Sequence, residues 1–221
     1  MTRTAKVTLK KIYQKLYAHF GPQHWWPGDT PFEVIVGAIL TQNTNWANVE
    51  KAIANLKRAR ALTPQGLKKI STQKLATLIK PSGYYNIKAK RLKNFIAFLF
   101  EEYDGSLKKM KKEPVAVLRR KVLSVNGVGP ETADSILLYA FGKPAFVVDA
   151  YTKRLLCRHE VIDEDLDYHA IQDLFHRYLE ADEQFFNEYH ALIVRVGKEF
   201  CKPDPKCFAC PLSKKGIRLF C

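Results

Sequence analysis

The chain has 221 residues, 36 Lys and Arg against 22 Asp and Glu, a formal charge of +14 and 47% hydrophobic residues. That length allows one large or two small domains, and that apolar content excludes a disordered polymer. The longest clean apolar runs, such as residues 95–100, are far too short to span a bilayer.

The basic N-terminus, MTRTAKVTLKKIY, lacks an apolar signal region, so a soluble, cytosolic protein is expected. Helical spacing then dominates. Phe32, Val34, Ile35, Ile39 and Leu40 recur on one helix, and Val49, Ile53 and Leu56 on the next. Leu75, Leu78 and Ile79 predict a short helix stopped by Pro81. A longer helix is expected over residues 84–103, ending near Asp104-Gly105, and another over 114–125. Further helices are expected near 133–140, 150–157, 167–179 and 183–196, and alternating strand patterns are nearly absent. The fold class read from the chain is all-α.

Between two of these helices lies the sequence VNGVGPETA. Gly127 and Gly129 supply the permissive backbone of a tight turn, and Pro130 suits the first position of a helix. Gly127, Val128 and Gly129 leave backbone N–H groups beside a helix N-terminus, a geometry that suits a phosphate oxygen. A plain helix–turn–helix corner has the same pattern. About twenty residues on, the apolar run Ala145 to Val148 ends at Asp149. A phosphate grip followed by a carboxylate can do chemistry on a held nucleic acid. Asp149 also fits a helix N-cap, and the two roles are compatible, because the helix dipole keeps a capping carboxylate ionised.

Lys and Arg recur in short groups: Lys57, Arg58 and Arg60; Lys88, Lys90 and Arg91; residues 108–112; Lys202, Lys206, Lys214 and Lys215. Nucleic acid is the usual polyanionic partner of such a soluble chain. No segment joins a basic face to a long apolar one, which argues against a membrane surface.

Four of the five cysteines, Cys201, Cys207, Cys210 and Cys221, fall in the last 21 residues as C-x5-C-x2-C-x10-C. In a cytosolic basic protein this favours metal ligation over disulfides. Four thiolates suit tetrahedral zinc or a [4Fe–4S] cube, and spacing does not separate the two. Cys157, in an apolar helix, reads as a buried core thiol.

GVGPETA followed by VVD resembles the helix–hairpin–helix, Gly/Pro…Asp superfamily of base-excision DNA glycosylases, the endonuclease III group. FEVIVGAILTQNTNWANVEKAI (residues 32–53) and PSGYYNIKAKRL (81–92) resemble further family segments, in the expected order. The resemblance implies a two-lobed all-α glycosylase fold with a central groove. A helical barrel would span 31–144, and 1–30 with 145–221 would form a second helical domain. It implies a C-terminal [4Fe–4S] loop, held by Cys201, Cys207, Cys210 and Cys221. The family's usual fourth cysteine would fall near Gly216, whereas this chain has Cys221. Lys202 and Lys206 on that loop would meet phosphates.

The combination of Trp25-Trp26-Pro27, the LTQNT turn and Trp46 is similar to the endonuclease III-like branch of 3-methyladenine glycosylases. There Trp25, Trp26 and Trp46 would sandwich a cationic alkylpurine, a role weighed against the ordinary one of tryptophans as core residues. Gln42 matches the family position that fills the gap left by an extruded base, and Tyr84 the wedge that enters the opposite strand. Otherwise Gln42 would cap a helix and Tyr84 would pack in the core. Glu131 stands where bifunctional glycosylase/lyases carry lysine. A carboxylate cannot form their imine, so the resemblance implies a monofunctional enzyme in which Asp149 works on water or on the sugar cation. The expected partner is double-stranded DNA carrying a damaged base, bound by a monomer. Three alternatives stand beside this reading: a glycosylase for another lesion, such as a uracil or thymine mismatch or adenine opposite oxidised guanine; a bifunctional endonuclease III-like glycosylase/lyase; and a non-catalytic helix–hairpin–helix DNA-binding module.

Overall fold

The computed structural model describes residues 2–25 and 28–213. Trp26 and Cys221 lie outside the described residues, as do Lys214 and Lys215. Twelve α-helices account for most of the described chain, with no strand among the described residues. They are α1 (Thr2–Phe20), α2 (Pro31–Leu40), α3 (Trp46–Arg58), α4 (Pro64–Lys69), α5 (Thr72–Leu78) and α6 (Tyr85–Tyr103). After these come α7 (Leu107–Lys111), α8 (Val115–Leu123), α9 (Pro130–Ser135), α10 (Ala150–Arg158), α11 (Tyr168–Tyr178) and α12 (Glu183–Glu199). None of the described helices is long and apolar enough to cross a membrane.

Short polar side chains start most of these helices. Thr30, Asn45, Thr63, Ser71, Ser106, Asp149, Asp167 and Asp182 each accept a hydrogen bond from a first-turn backbone N–H. The exception that matters is α6. Its N-cap is Tyr84, which has left-handed backbone (φ 44°, ψ 31°) and makes no side-chain cap.

The chain divides into two compact units, Trp26–Lys143 and Met1–Trp25 with Pro144–Cys221. In the first unit α2 is buried at every residue except Pro31 and is apolar apart from Glu33, as suits a central helix. It packs against α3, α6, α9 and a π-helical turn, Ile136–Ala140, that continues α9. In the second unit α12 packs against α1 and α10. Tyr189 lies at its centre, fully buried, and its hydroxyl donates to the Leu9 carbonyl at 2.7 Å. At Gly197 a Cβ would lie 2.4 Å from the Tyr151 ring, so only glycine lets α10 approach α12 this closely.

Several elements depart from sequence expectation. The helix α1 was not foreseen, although Leu9, Ile12 and Leu16 are fully buried at helical spacing. Lysines at positions 6, 10, 11 and 15 mask that stripe. The short α4 and α7 were not foreseen either. The helix α5 stops at Leu78, before Pro81, and Pro81 itself sits inside a 3-10 turn, Lys80–Ser82. Cys157 is half-buried, with its thiol facing the Asp163 carbonyl at 3.9 Å, and is not a core residue.

The apolar run Ala145–Val148 is buried and extended, yet pairs with no sheet. Its backbone polar groups must be satisfied in some other way. One face of α11 does this, with residues spaced four apart. Tyr168 Oη accepts from Val148 N–H at 3.4 Å, and Gln172 Nε2 donates to the Phe146 carbonyl at 2.7 Å. His176 Nε2 accepts from Phe146 N–H at 3.2 Å. Phe146 then stacks on Phe175 at 3.5 Å between centroids.

Replacing Gln172 by Leu keeps the bulk and strands the Phe146 carbonyl. A loss of about 1–3 kcal/mol in unfolding free energy is expected from urea titration. An unchanged midpoint would show that the run is held by packing alone.

Candidate active site

The residues singled out in the sequence fall in both units, and each group is built up within its own.

In the unit Trp26–Lys143 the turn after α2 carries Gln42. Its carboxamide is fully engaged. Nε2 donates to the Gly127 carbonyl at 3.1 Å and to Thr132 Oγ1 at 2.9 Å, and Oε1 accepts from Arg91 Nη1. Gln42 caps no helix, because Thr41 holds the C-cap of α2. It binds the hairpin instead, and entering a duplex would exchange these three bonds.

The hairpin itself joins α8 to α9. Gly127 has φ +92°, and a Cβ there would lie 2.3 Å from Arg91 Cγ. Conformation and space both demand glycine. Gly129 is different: its φ of −88° suits any residue, and a Cβ would meet nothing within 4 Å. Its missing side chain leaves the first N–H groups of α9 open to a ligand. Val125 and Val128 are buried and anchor the turn. Arg119 on α8 grips Asp134 on α9 through two bonds, 2.7 and 2.9 Å, with the carboxylate fully buried. This bidentate pair fixes the two helices around the hairpin. Glu131 is exposed in the first turn of α9.

Tyr84 is 68% exposed, so it does not pack in the core. It follows Gly83 (φ +67°) and itself has positive φ, a strained setting for an aromatic side chain. One turn into α6, Lys88 is fully buried, against the expectation that it belongs to a basic surface group. Its Nζ donates to the Leu40 carbonyl at 2.9 Å and the Ser82 carbonyl at 2.6 Å. Burial, helped by the nearby Arg91 charge, pushes its ammonium down to about 8.

Trp46 opens α3 and donates from Nε1 to Glu50 at 2.9 Å. It lines a cavity of about 340 Å³ with Asp29, Glu33, Glu50, Ile53 and Lys57. Lys57 bridges Asp29 and Glu33 at 2.7 and 2.8 Å. Three carboxylates therefore share the cavity with one ammonium.

In the other unit, the half-buried Trp25 has Lys198 Nζ 5.8 Å from its ring centroid. Asp149 ends the extended run and caps α10. Oδ1 accepts from Thr152 N–H at 2.7 Å and from Thr152 Oγ1 at 2.9 Å. Oδ2 lies 3.5 Å from His190 Nε2, and the side chain is only 13% exposed. Burial pushes the carboxyl upward, but the His190 charge, its hydrogen bond and the two Thr152 donors together hold it below the ordinary value. The result is an ionised carboxylate in a largely dry place, with one oxygen fixed and the other against an imidazole. His190 was missed in the sequence. The available signal was a histidine among the buried-face residues of α12, between Phe186 and Ile193.

Two arginines of α10 latch the cysteine loop. Arg154 Nε donates to the Cys201 carbonyl at 2.7 Å. Arg158 donates to the Lys202 carbonyl at 2.6 Å and the Pro203 carbonyl at 2.9 Å, with Nη1 also 3.4 Å from Cys201 Sγ. Lys202 and Lys206 are exposed on this loop, as is Phe208 at 92%. Cys201 and Cys207 are half-buried and Cys210 is buried. Among the described residues no three His, Cys, Asp or Glu side chains gather closely enough to hold a metal.

Comparison with known proteins places this geometry. Residues 36–181 match the HhH-GPD superfamily of base excision DNA repair proteins. A Methanocaldococcus jannaschii protein with the provisional name DNA repair glycosylase is 49% identical over 206 residues, covering 92% of this chain and 93% of its own. Endonuclease III of Thermotoga maritima is 31% identical over 81% of this chain and 79% of its own. Among solved structures, H. pylori 3-methyladenine DNA glycosylase bound to 1,N6-ethenoadenine superposes with a TM-score of 0.76 and 30% identity, covering 88% of this chain and 97% of that one. The chain belongs to the HhH-GPD superfamily of base excision DNA repair proteins and is a DNA glycosylase of that family.

Proposed function

We propose that the chain is a monofunctional glycosylase that hydrolyses the N-glycosidic bond of an alkylated purine, such as 3-methyladenine, in double-stranded DNA. The observation that carries the reading is Glu131, an exposed carboxylate at the position where the lyases of the family carry lysine. Water is then the nucleophile, and no imine forms. Asp149 supplies the negative charge that faces the sugar as the bond to the base breaks, and a carboxylate held ionised in a dry setting does this best. An alkylated purine already carries positive charge, so it leaves as a neutral base without an acid to protonate it.

The base is taken by the cavity that Trp46 lines. Its ring face attracts a cation, and Asp29, Glu33 and Glu50 outnumber Lys57 around it. The 30% identity to a 3-methyladenine glycosylase supports the same class of base. Gly127 and Gly129 hold a phosphate, the Val128 N–H being spent on the Val125 carbonyl at 3.0 Å; Gln42 and Tyr84 enter the duplex, and one copy of the chain suffices.

We also propose that Cys201, Cys207, Cys210 and Cys221 hold a [4Fe–4S] cluster. Four cysteine sulfurs are the donor set such a cluster takes, and Cys207, which stands in a disulfide, would have to be reduced to join it. Burial pushes the Cys210 thiol up, so it ionises readily only beside a cation. When bound, the cluster would supply cross-links that fold the loop carrying Lys202 and Lys206.

Four outcomes are expected. Borohydride traps no protein–DNA adduct during turnover; efficient trapping would put an amine nucleophile in place of water. Asp149→Asn, which retains a cap, slows base release about a hundredfold or more while damaged-duplex binding survives; near-normal turnover would reduce Asp149 to a cap. His190→Gln removes a cause of the lowered Asp149 pKa, so the acid limb of the base-release profile moves to higher pH. The sign follows from the ionised form being the active one: without the imidazole that lowers it, the carboxyl takes up its proton at higher pH. An unmoved acid limb would remove His190 from the site. Anaerobically purified protein carries about four iron and four sulfide per chain; zinc, or no metal, would overturn the cluster.

A further inference from the structure

The first turns of α6 carry two cations that no basic surface patch explains. Lys88 is 1% exposed, and its two bonds go to main-chain carbonyls on different segments. Leu40 is the last residue of α2, immediately before Thr41 and Gln42. Ser82 ends the 3-10 turn immediately before Gly83 and Tyr84. One ammonium therefore ties together the roots of the two turns that carry Gln42 and Tyr84. Arg91 follows three residues later, on the same side of the helix. Its guanidinium donates to Gln42, and its stem lies where a Cβ on Gly127 would be. Asn94, three further on, donates to the Asn126 carbonyl at 3.0 Å.

We propose that Lys88 and Arg91 are positioning residues that set Gln42 and Tyr84 in fixed register with each other and with the hairpin, so that the two probes enter an interrupted duplex as one unit. This rests on the reading above in which Gln42 and Tyr84 enter DNA. The physical case is economy of order. Tyr84 is exposed and strained, and Gln42 sits on a turn, so neither holds its place by its own packing. A buried ammonium is costly unless its donors are used, and both known bonds of Lys88 are spent on these two turns. A lone cap needs one such carbonyl, whereas a spacer needs one on each side.

The test uses a duplex carrying a tetrahydrofuran abasic analogue, with 2-aminopurine in the opposite strand beside it. Wild-type binding raises the 2-aminopurine fluorescence by unstacking. Arg91→Met, at a half-buried site, is expected to fold normally by circular dichroism and to lose most of that rise. Its affinity for the analogue duplex falls about tenfold or more, since small misplacements of a positioned group are costly. Affinity for an undamaged duplex stays within about twofold, with the same salt slope. Adding Gln42→Ala to Arg91→Met produces no further loss, and Lys88→Met behaves likewise toward Tyr84→Ala. If Lys88→Met does not fold, the Arg91 and Gln42 cycle decides alone. Equal weakening on both duplexes with a shallower salt slope would make Arg91 a phosphate ligand and overturn the proposal. Additive effects of Arg91→Met and Gln42→Ala would overturn it too. If Gln42→Ala and Tyr84→Ala each keep the wild-type fluorescence rise, it is the prior reading of those two residues that fails, and the positioning role fails with it.

Discussion

A buried extended segment with no neighbouring strand must find its hydrogen bonds among side chains. The placement of the Asp149 carboxylate depends on how this chain solves that problem. Tyr168, Gln172 and His176 line one face of α11 and serve the backbone of residues 146 and 148. Phe146 adds a ring contact to the same helix by stacking on Phe175. The segment is thereby rigid up to Asp149, where the chain turns into α10. A carboxylate delivered by a fixed backbone, bonded by Thr152 and faced by His190, is the preorganised group that the proposed function asks for at a developing positive charge.

The unit Trp26–Lys143 solves a second problem, that of presenting exposed and strained residues without losing them to disorder. Its central helix α2 is buried from Phe32 to Leu40, so the turn at its C-terminus starts from a rigid base. From there Gln42 bonds to the hairpin, Arg91 bonds to Gln42, and Arg119 bonds Asp134 across the two hairpin helices. Gly127 is required twice over, by its φ and by the Arg91 stem. Polar bonds of this kind are short-range and directional, so they define placement better than apolar contact alone.

The all-helical class was legible because apolar spacing and short polar caps agree along most of the chain. Asp149 was legible as well, since a cap residue after an apolar run leaves a clear trace. The helix α1 was not, because its buried stripe of Leu9, Ile12 and Leu16 is interleaved with lysines. The role of Lys88 was hidden for a related reason. A lysine in a basic group looks solvated, and only tertiary contact reveals that its ammonium is spent on two carbonyls. His190 stood out only as a histidine on an apolar helix face, and nothing local tied it to its partner 41 residues away in the chain, Asp149. Gly129 was read as a conformational requirement equal to Gly127, yet its backbone is ordinary and its neighbourhood open.

The central claim is that this carboxylate and the Trp46 cavity release a cationic purine by hydrolysis. Its most direct test is base release from a panel of duplexes containing 3-methyladenine, uracil, mismatched thymine, or adenine opposite oxidised guanine, analysed with and without alkali. The account predicts free 3-methyladenine, with the strand intact until alkali cuts the abasic site. Release of one of the other bases alone, or strand cleavage without alkali, would contradict it.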